Sequence, residues 1–220
     1  MEKNKKTDVK DFFNEYAYDF DALYGTRKNI LNVLINPVFR KSMKTRFKRT
    51  IQYSSPYTGM TFLDVGCGPG HYPVELAKLG AKSITGIDFS EEMINIARNN
   101  ARHAHVAEIC KFIVGDVLEY CPNKKFDIAI VMGVMDYIEY PEIFVKKLID
   151  ITSSKILFSF PSKKGVLSFQ RKVRYKNRCP LYMYDKTELA RLFDKFSHFT
   201  YDIEKISRDF FVSLQLESEK

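Results

Sequence analysis

Thr61-Phe62-Leu63-Asp64-Val65-Gly66-Cys67-Gly68-Pro69-Gly70 is the stretch whose reading decides the fold. A short apolar run passes into a glycine-rich turn and then into a segment with helical spacing, which predicts a buried strand, a tight turn and a helix. Glycine lets the backbone turn sharply, and without a Cβ it lets a ligand come into contact with the chain. Asp64 falls near the strand end, at the carboxyl edge of a sheet, where open α/β folds bind ligands. The stretch therefore predicts a cradle for a nucleoside-containing ligand.

Strand and helix alternate from there. Strands are expected at 61–65, 83–88, 111–114, 126–131 and 155–160. Helices are expected at about 70–79, ended by Gly80, from Ser90 as N-cap to about 103, and from Pro141 to about 150. This succession implies a parallel sheet with right-handed crossovers. A basic, aromatic insertion at 161–185 interrupts it, and a helix at 186–196 capped by Asp185 follows, with strand-like runs at 198–204 and 206–214. Upstream, residues 8–24 and 29–52 carry apolar stripes at helical spacing, with Pro37 kinking or dividing the second. The organisation expected is an N-terminal helical cap over 1–58 and a ligand-binding domain over 59–220.

At 220 residues and 45% hydrophobic content the chain has the size and composition of one globular domain with an extension. It has no run of 18 apolar residues and no apolar segment behind its polar N-terminus, so neither a membrane span nor a secretory signal is expected. Four cysteines without metal spacing point to reduced thiols in a cytoplasmic protein and to no metal site. The net charge of +8 is unevenly placed. No acid occurs between Asp21 and Asp64, where eight bases do, and seven more lie in an acid-free stretch from Lys163 to Arg178. Such blocks suit an anionic substrate, nucleic acid, a membrane surface or plain solvated helix faces.

The glycine spacing, D-x-G-x-G-x-G, separates two kinds of nucleoside site. A dinucleotide fold uses G-x-G-x-x-G, which counted from Gly66 needs a third glycine where this chain has His71. Asp88 ends the second strand, where a carboxylate accepts from both hydroxyls of a ribose. Asp116 ends the third, where a carboxylate accepts from an adenine amino group and the Val117 N–H serves the ring nitrogen. Three acids at three successive strand ends form a row along one sheet edge.

With these residues in view, residues 60–160 resemble the class I S-adenosylmethionine-dependent methyltransferases, small-molecule type. The resemblance rests on 62–70, Gly86-Ile87-Asp88-Phe89-Ser90, Gly115-Asp116-Val117 and 126–133. It implies a seven-stranded, Rossmann-like doubly wound α/β sheet, mostly parallel with an antiparallel last strand, and S-adenosyl-L-methionine as cofactor, with S-adenosyl-L-homocysteine as product. It further implies that Gly66, Gly68 and Gly70 line the methionine part, that Asp64 and Cys67 belong to the same cofactor site and that Asp88 holds the ribose. Phe89 and Met93 pack near the adenine, Asp116 and Val117 read its edge, and Met132 and Gly133 lie under the sulfonium. In related enzymes a helical cap covers the cofactor with Tyr contacts, a role open here to Tyr16 and Tyr24.

The reaction implied is in-line methyl transfer, in which alignment does most of the work and a base is needed only if the nucleophile must lose a proton early. The family motifs fix no catalytic residue. Candidates are His71 after the glycine turn and, after the fourth strand, Asp136, Tyr137, Glu139 and Tyr140. Arg171, Arg174, Tyr175 and Arg178 of the insertion could clamp an anionic group of the substrate. A small-molecule acceptor methylated at O, or at N, is the first reading. The others are an RNA methyltransferase and a catalytically silent cofactor-binding subunit. Met132-Gly133-Val134-Met135 lacks the [DNS]-P-P-[FY] signature of base-amine methylation, which counts against RNA.

Overall fold

The computed structural model describes residues 37–163 and 180–216. In chain order the elements are α1 (Pro37–Tyr53), β1 (Thr61–Val65), α2 (His71–Lys78), β2 (Ser83–Asp88), α3 (Glu91–His103), β3 (Cys110–Val114), β4 (Phe126–Val131), α4 (Pro141–Ile151), β5 (Thr152–Pro161), α5 (Lys186–Asp194), β6 (Thr200–Ile206) and β7 (Asp209–Gln215). The strands form one seven-stranded sheet in the order β3-β2-β1-β4-β5-β7-β6. The first five strands pair in parallel. β7 runs antiparallel to both of its neighbours, β5 and β6. The expected doubly wound sheet with an antiparallel last strand is the one observed.

Alternation along each strand splits the core between the two faces. Phe62, Ile128, Ile130, Leu157 and Phe211 pack on one face with Leu76 of α2 and Ile94 and Ala97 of α3. Leu63, Ala129, Val131, Ile156, Phe158 and Val212 pack on the other with Phe144 and Leu148 of α4 and Leu189 and Phe193 of α5. Strands covered on both faces read as continuous apolar runs, which is why β1, β2 and β4 have the predicted bounds. Phe62 and Leu63 are fully buried, and truncation to alanine costs about 3–5 kcal/mol at Phe62 and about 2–5 kcal/mol at Leu63.

Local chemistry sets the ends. Ser90 caps α3 by accepting from Met93 N–H, and Asp185 and Glu188 close a reciprocal capping box on α5. Pro37 stands at the first position of α1, where a missing N–H costs nothing. Residues 8–24 and 29–36 lie outside the described residues. α5 ends at Asp194, earlier than the predicted 196, and Ser207 in the left-handed region (φ 51°) makes the turn that moves β6 and β7 to 200–206 and 209–215.

α1 lies on the α2/α3 face and runs from the carboxyl edge of the sheet to its amino edge. Near its end, the backbone carbonyl of Tyr53 accepts from Lys155 Nζ, at the start of β5, at 3.0 Å. Arg46, two turns earlier, meets Asp209, which pairs with Pro161 at the far end of β5. Phe47 stacks on Tyr72, and Tyr53 meets Phe211 edge-on. Among the described residues, no helix is long and apolar enough to cross a membrane.

Candidate active site

The three glycines of the turn all take positive φ (66°, 50° and 80°), but each meets a different neighbour. A Cβ on Gly66 would lie 2.4 Å from Val134 Cγ2, and one on Gly70 would lie 2.9 Å from Ala97 Cβ. Gly66 therefore admits the loop after β4, and Gly70 admits α3. At Gly68 the nearest atom to such a Cβ is Met93 Sδ at 3.9 Å, an ordinary contact, so that position has the most room of the three. The Gly66 and Cys67 N–H groups both donate to the Ile87 carbonyl, at 2.8 and 3.1 Å, which ties the turn to the end of β2.

The acids stand in a row, as expected. Asp64 pairs with Gly86 and Asp88 with Val114 in the sheet register, and Asp116 follows β3. Asp88 accepts from Gly68 N–H at 2.8 Å and from Ser90 N–H at 2.9 Å. Burial raises its pKa, and the backbone N–H groups of Ser90, Gly68 and Phe89 hold the rise back. The Gly115 N–H donates to the Asp88 carbonyl, and Asp116 accepts from Leu118 N–H at 2.9 Å. Asp64 is 1% exposed, and its Oδ2 has no hydrogen-bond partner. Burial first, and the charge of Asp88 second, push its pKa well above the ordinary aspartate value. A buried orphan acceptor needs an explanation, and a cationic ligand group above the turn supplies one.

The other predicted cofactor residues surround this row. Met93 and Val117 are buried, while Phe89 is half-buried. Met132 is buried, and Gly133 (φ 80°) donates its N–H to Ser159 Oγ at 2.8 Å. The Cys67 side chain points away from the cradle, with Sγ 2.8 Å from where a Gly86 Cβ would stand. Burial and then the charges of Asp88 and Asp64 push its thiol well up, so it is a packing group, and only its backbone lies along the turn. Tyr16, Tyr24, Arg171, Arg174, Tyr175 and Arg178 lie outside the described residues.

Of the predicted catalytic residues, His71 is half-buried at the start of α2, beside the turn. Tyr137 is half-buried and donates its N–H to the Val134 carbonyl. Glu139 is exposed and faces a cleft between α4 and α5 that it shares with Tyr140, Leu192 and Phe196, and no glycine-turn residue lines that cleft. Asp136 is 3% exposed in the same loop. Its carbonyl accepts from Tyr182 N–H at 2.7 Å, and its charge adds to burial in raising the Tyr184 phenol.

Arg46 and Asp209 were not among the predicted site residues. Arg46 is 6% exposed, and its guanidinium nitrogens lie 3.6 Å from where a Gly133 Cβ would stand. The sequence did carry a signal. Arg46 falls in the stripe of Ser42, Met43 and Thr50, which are buried on α1, whereas Lys41, Lys44 and Lys48 are exposed. Arg49 also turns inward, bonding Glu204 at 2.6 and 2.8 Å and lying over the Tyr53 ring. The first basic block is thus partly consumed within the molecule.

Comparison with known proteins agrees with this geometry. Residues 57–197 match a family model described as a methyltransferase domain. Ubiquinone biosynthesis O-methyltransferase of Bradyrhizobium diazoefficiens is 31% identical over 51% of this chain and 45% of its own length. The enzyme of the same name from Pelagibacter ubique is 28% identical over 74% of this chain and 63% of its own. The chain thus spans less than two thirds of either relative. The magnesium protoporphyrin IX methyltransferase of Synechocystis, solved with S-adenosylhomocysteine bound, superposes with a TM-score of 0.77 at 19% identity, over 97% of this chain and all of that one. With a sheet of this order, a glycine turn and a carboxylate row at its switch point, and a domain match over most of its length, the chain belongs to the class I S-adenosylmethionine-dependent methyltransferase family.

Proposed function

We propose that the protein transfers a methyl group from S-adenosylmethionine to an oxygen, or a nitrogen, of a small acceptor. The observation that carries this reading is the buried Asp64 carboxyl, whose Oδ2 has no hydrogen-bond partner, beside a turn whose middle glycine, Gly68, is the least crowded of the three. The cofactor, when bound, supplies an electrophilic methyl on a sulfonium. The chain's own residues bind and align. Asp64 faces the ammonium of the methionine part, Gly66 and Gly68 let it approach, Asp88 holds the ribose, Asp116 and Val117 read the adenine between Phe89 and Met93, and Met132 and Gly133 floor the sulfur end.

The acceptor then lies on the β4 side of the turn. Where its nucleophile must lose a proton early, we assign that role to His71, Tyr137 or the buried Asp136, which lie beside the turn or in the loop after β4. Exposed Glu139 takes no part. Oxygen is preferred over nitrogen because the curated relatives named above are O-methyltransferases. We assign residues 1–58 to a cap over the site, since α1 begins at the carboxyl edge. Calorimetry tests the cofactor reading: S-adenosylhomocysteine should bind saturably and NAD should not, and the reverse overturns it.

A further inference from the structure

We propose that Arg46 recognises an acidic group, a carboxylate in the first instance, on the methyl acceptor, and that Asp209 positions it. This rests on the methyltransferase reading above and adds the class of acceptor. The order of strand ends fixes which side of the site Arg46 serves. Along the carboxyl edge, Asp116, Asp88 and the glycine turn follow β3, β2 and β1 in turn. Gly133 follows β4, on the far side of the turn, and Asp209 opens β7, further out beside the end of β5. The Arg46 guanidinium lies between these two points, 3.6 Å from where a Gly133 Cβ would stand and 3.4 Å from Asp209 Oδ2. It is therefore past the cofactor row, on the β4–β5 side of the glycine turn.

The contact with Asp209, at 3.4 Å, is longer than the ~2.7–2.9 Å of a tight charge-assisted bond. Guanidinium presents several N–H donors in a rigid plane that matches a carboxylate. A second argument comes from charge. Gly133 lies at the sulfonium end of the proposed cofactor pose, so an acidic group held at Arg46 also faces the positive sulfonium. An acidic acceptor in that position couples its own binding to that of the cofactor. The glycine at 133 leaves room for this, because any Cβ would meet the guanidinium.

The test uses the full chain saturated with S-adenosylhomocysteine, titrated calorimetrically with 3,4-dihydroxybenzoate and with neutral catechol. The wild type should bind the acid about tenfold more tightly than catechol or better, which is the scale of one charge-assisted contact. Arg46→Lys keeps the charge but loses the fork. It should erase most of that preference while leaving catechol and S-adenosylhomocysteine affinities unchanged. Asp209→Asn should reduce the same ratio, which a purely structural role would not move, and it carries the test if Arg46→Lys fails to fold. Equal wild-type affinity for acid and catechol, absence of saturable acid binding, or an unchanged preference in folded variants overturns the proposal. So does loss of S-adenosylhomocysteine affinity in Arg46→Lys, which would assign Arg46 to the cofactor's own carboxylate. Failure of the wild type to bind S-adenosylhomocysteine is instead the failure of the methyltransferase reading.

Discussion

Asp64 places a carboxyl where water cannot reach it and leaves one oxygen without a donor. Its pKa is raised by burial and by Asp88, while Cys67, close by, stays a thiol. A carboxyl whose folded pKa lies above its unfolded one binds more protons in the folded state. Its stabilising contribution is present below the unfolded value of about 4 and is lost as pH rises toward the folded value. Asp64→Asn should therefore raise the melting temperature of the ligand-free protein at pH 7.5 and weaken S-adenosylhomocysteine binding, with the stability gain vanishing near pH 4. Calorimetry and thermal melts across that range check both. Asp88→Ala should cost tenfold or more in the same affinity, since a buried ribose loses charge-assisted acceptors. These acids were legible in the sequence because strand-end position and glycine spacing are short-range patterns. Arg46 was not, because its meaning depends on Asp209, 163 residues away.

Among the elements, α3 links stability to binding. Ser90 caps the helix through its hydroxyl, while its own N–H holds Asp88. Ser90→Ala should cost about 1 kcal/mol in chemical denaturation and loosen S-adenosylhomocysteine binding only mildly, because the backbone donor to Asp88 remains. Asp185→Ala, which removes the α5 capping box, should cost about the same and leave that affinity untouched. The bounds of β1, β2 and β4 could be read from apolar runs ended by turn residues. The extra length of β5 could not, because Thr152, Ser153 and Ser154 are polar and join the strand only through pairing with β4 and the backbone bond from Leu216 to Ser154. The bounds of α1 were blurred because its apolar stripe continues upstream of Pro37 in the sequence, while the helix starts at that proline.

For the whole molecule, the fold class followed from the alternation of strands and helices and from the family resemblance. The acceptor side did not, because it is assembled from α1, the loop after β4 and the start of β7, which no local pattern joins. Ligand binding gives the global test. S-adenosylhomocysteine at 100 times its dissociation constant should stabilise the protein by about 2.7 kcal/mol in urea unfolding, and NAD at the same concentration should give no shift.

The position of β7 has a consequence for how the chain is made. It fills the gap between β5 and β6, although it follows both in sequence. As the ribosome delivers the chain, the strands that carry the cofactor row can pair once β4 has emerged. Arg46, synthesised much earlier, must wait for Asp209 before α1 finds its buried charge partner.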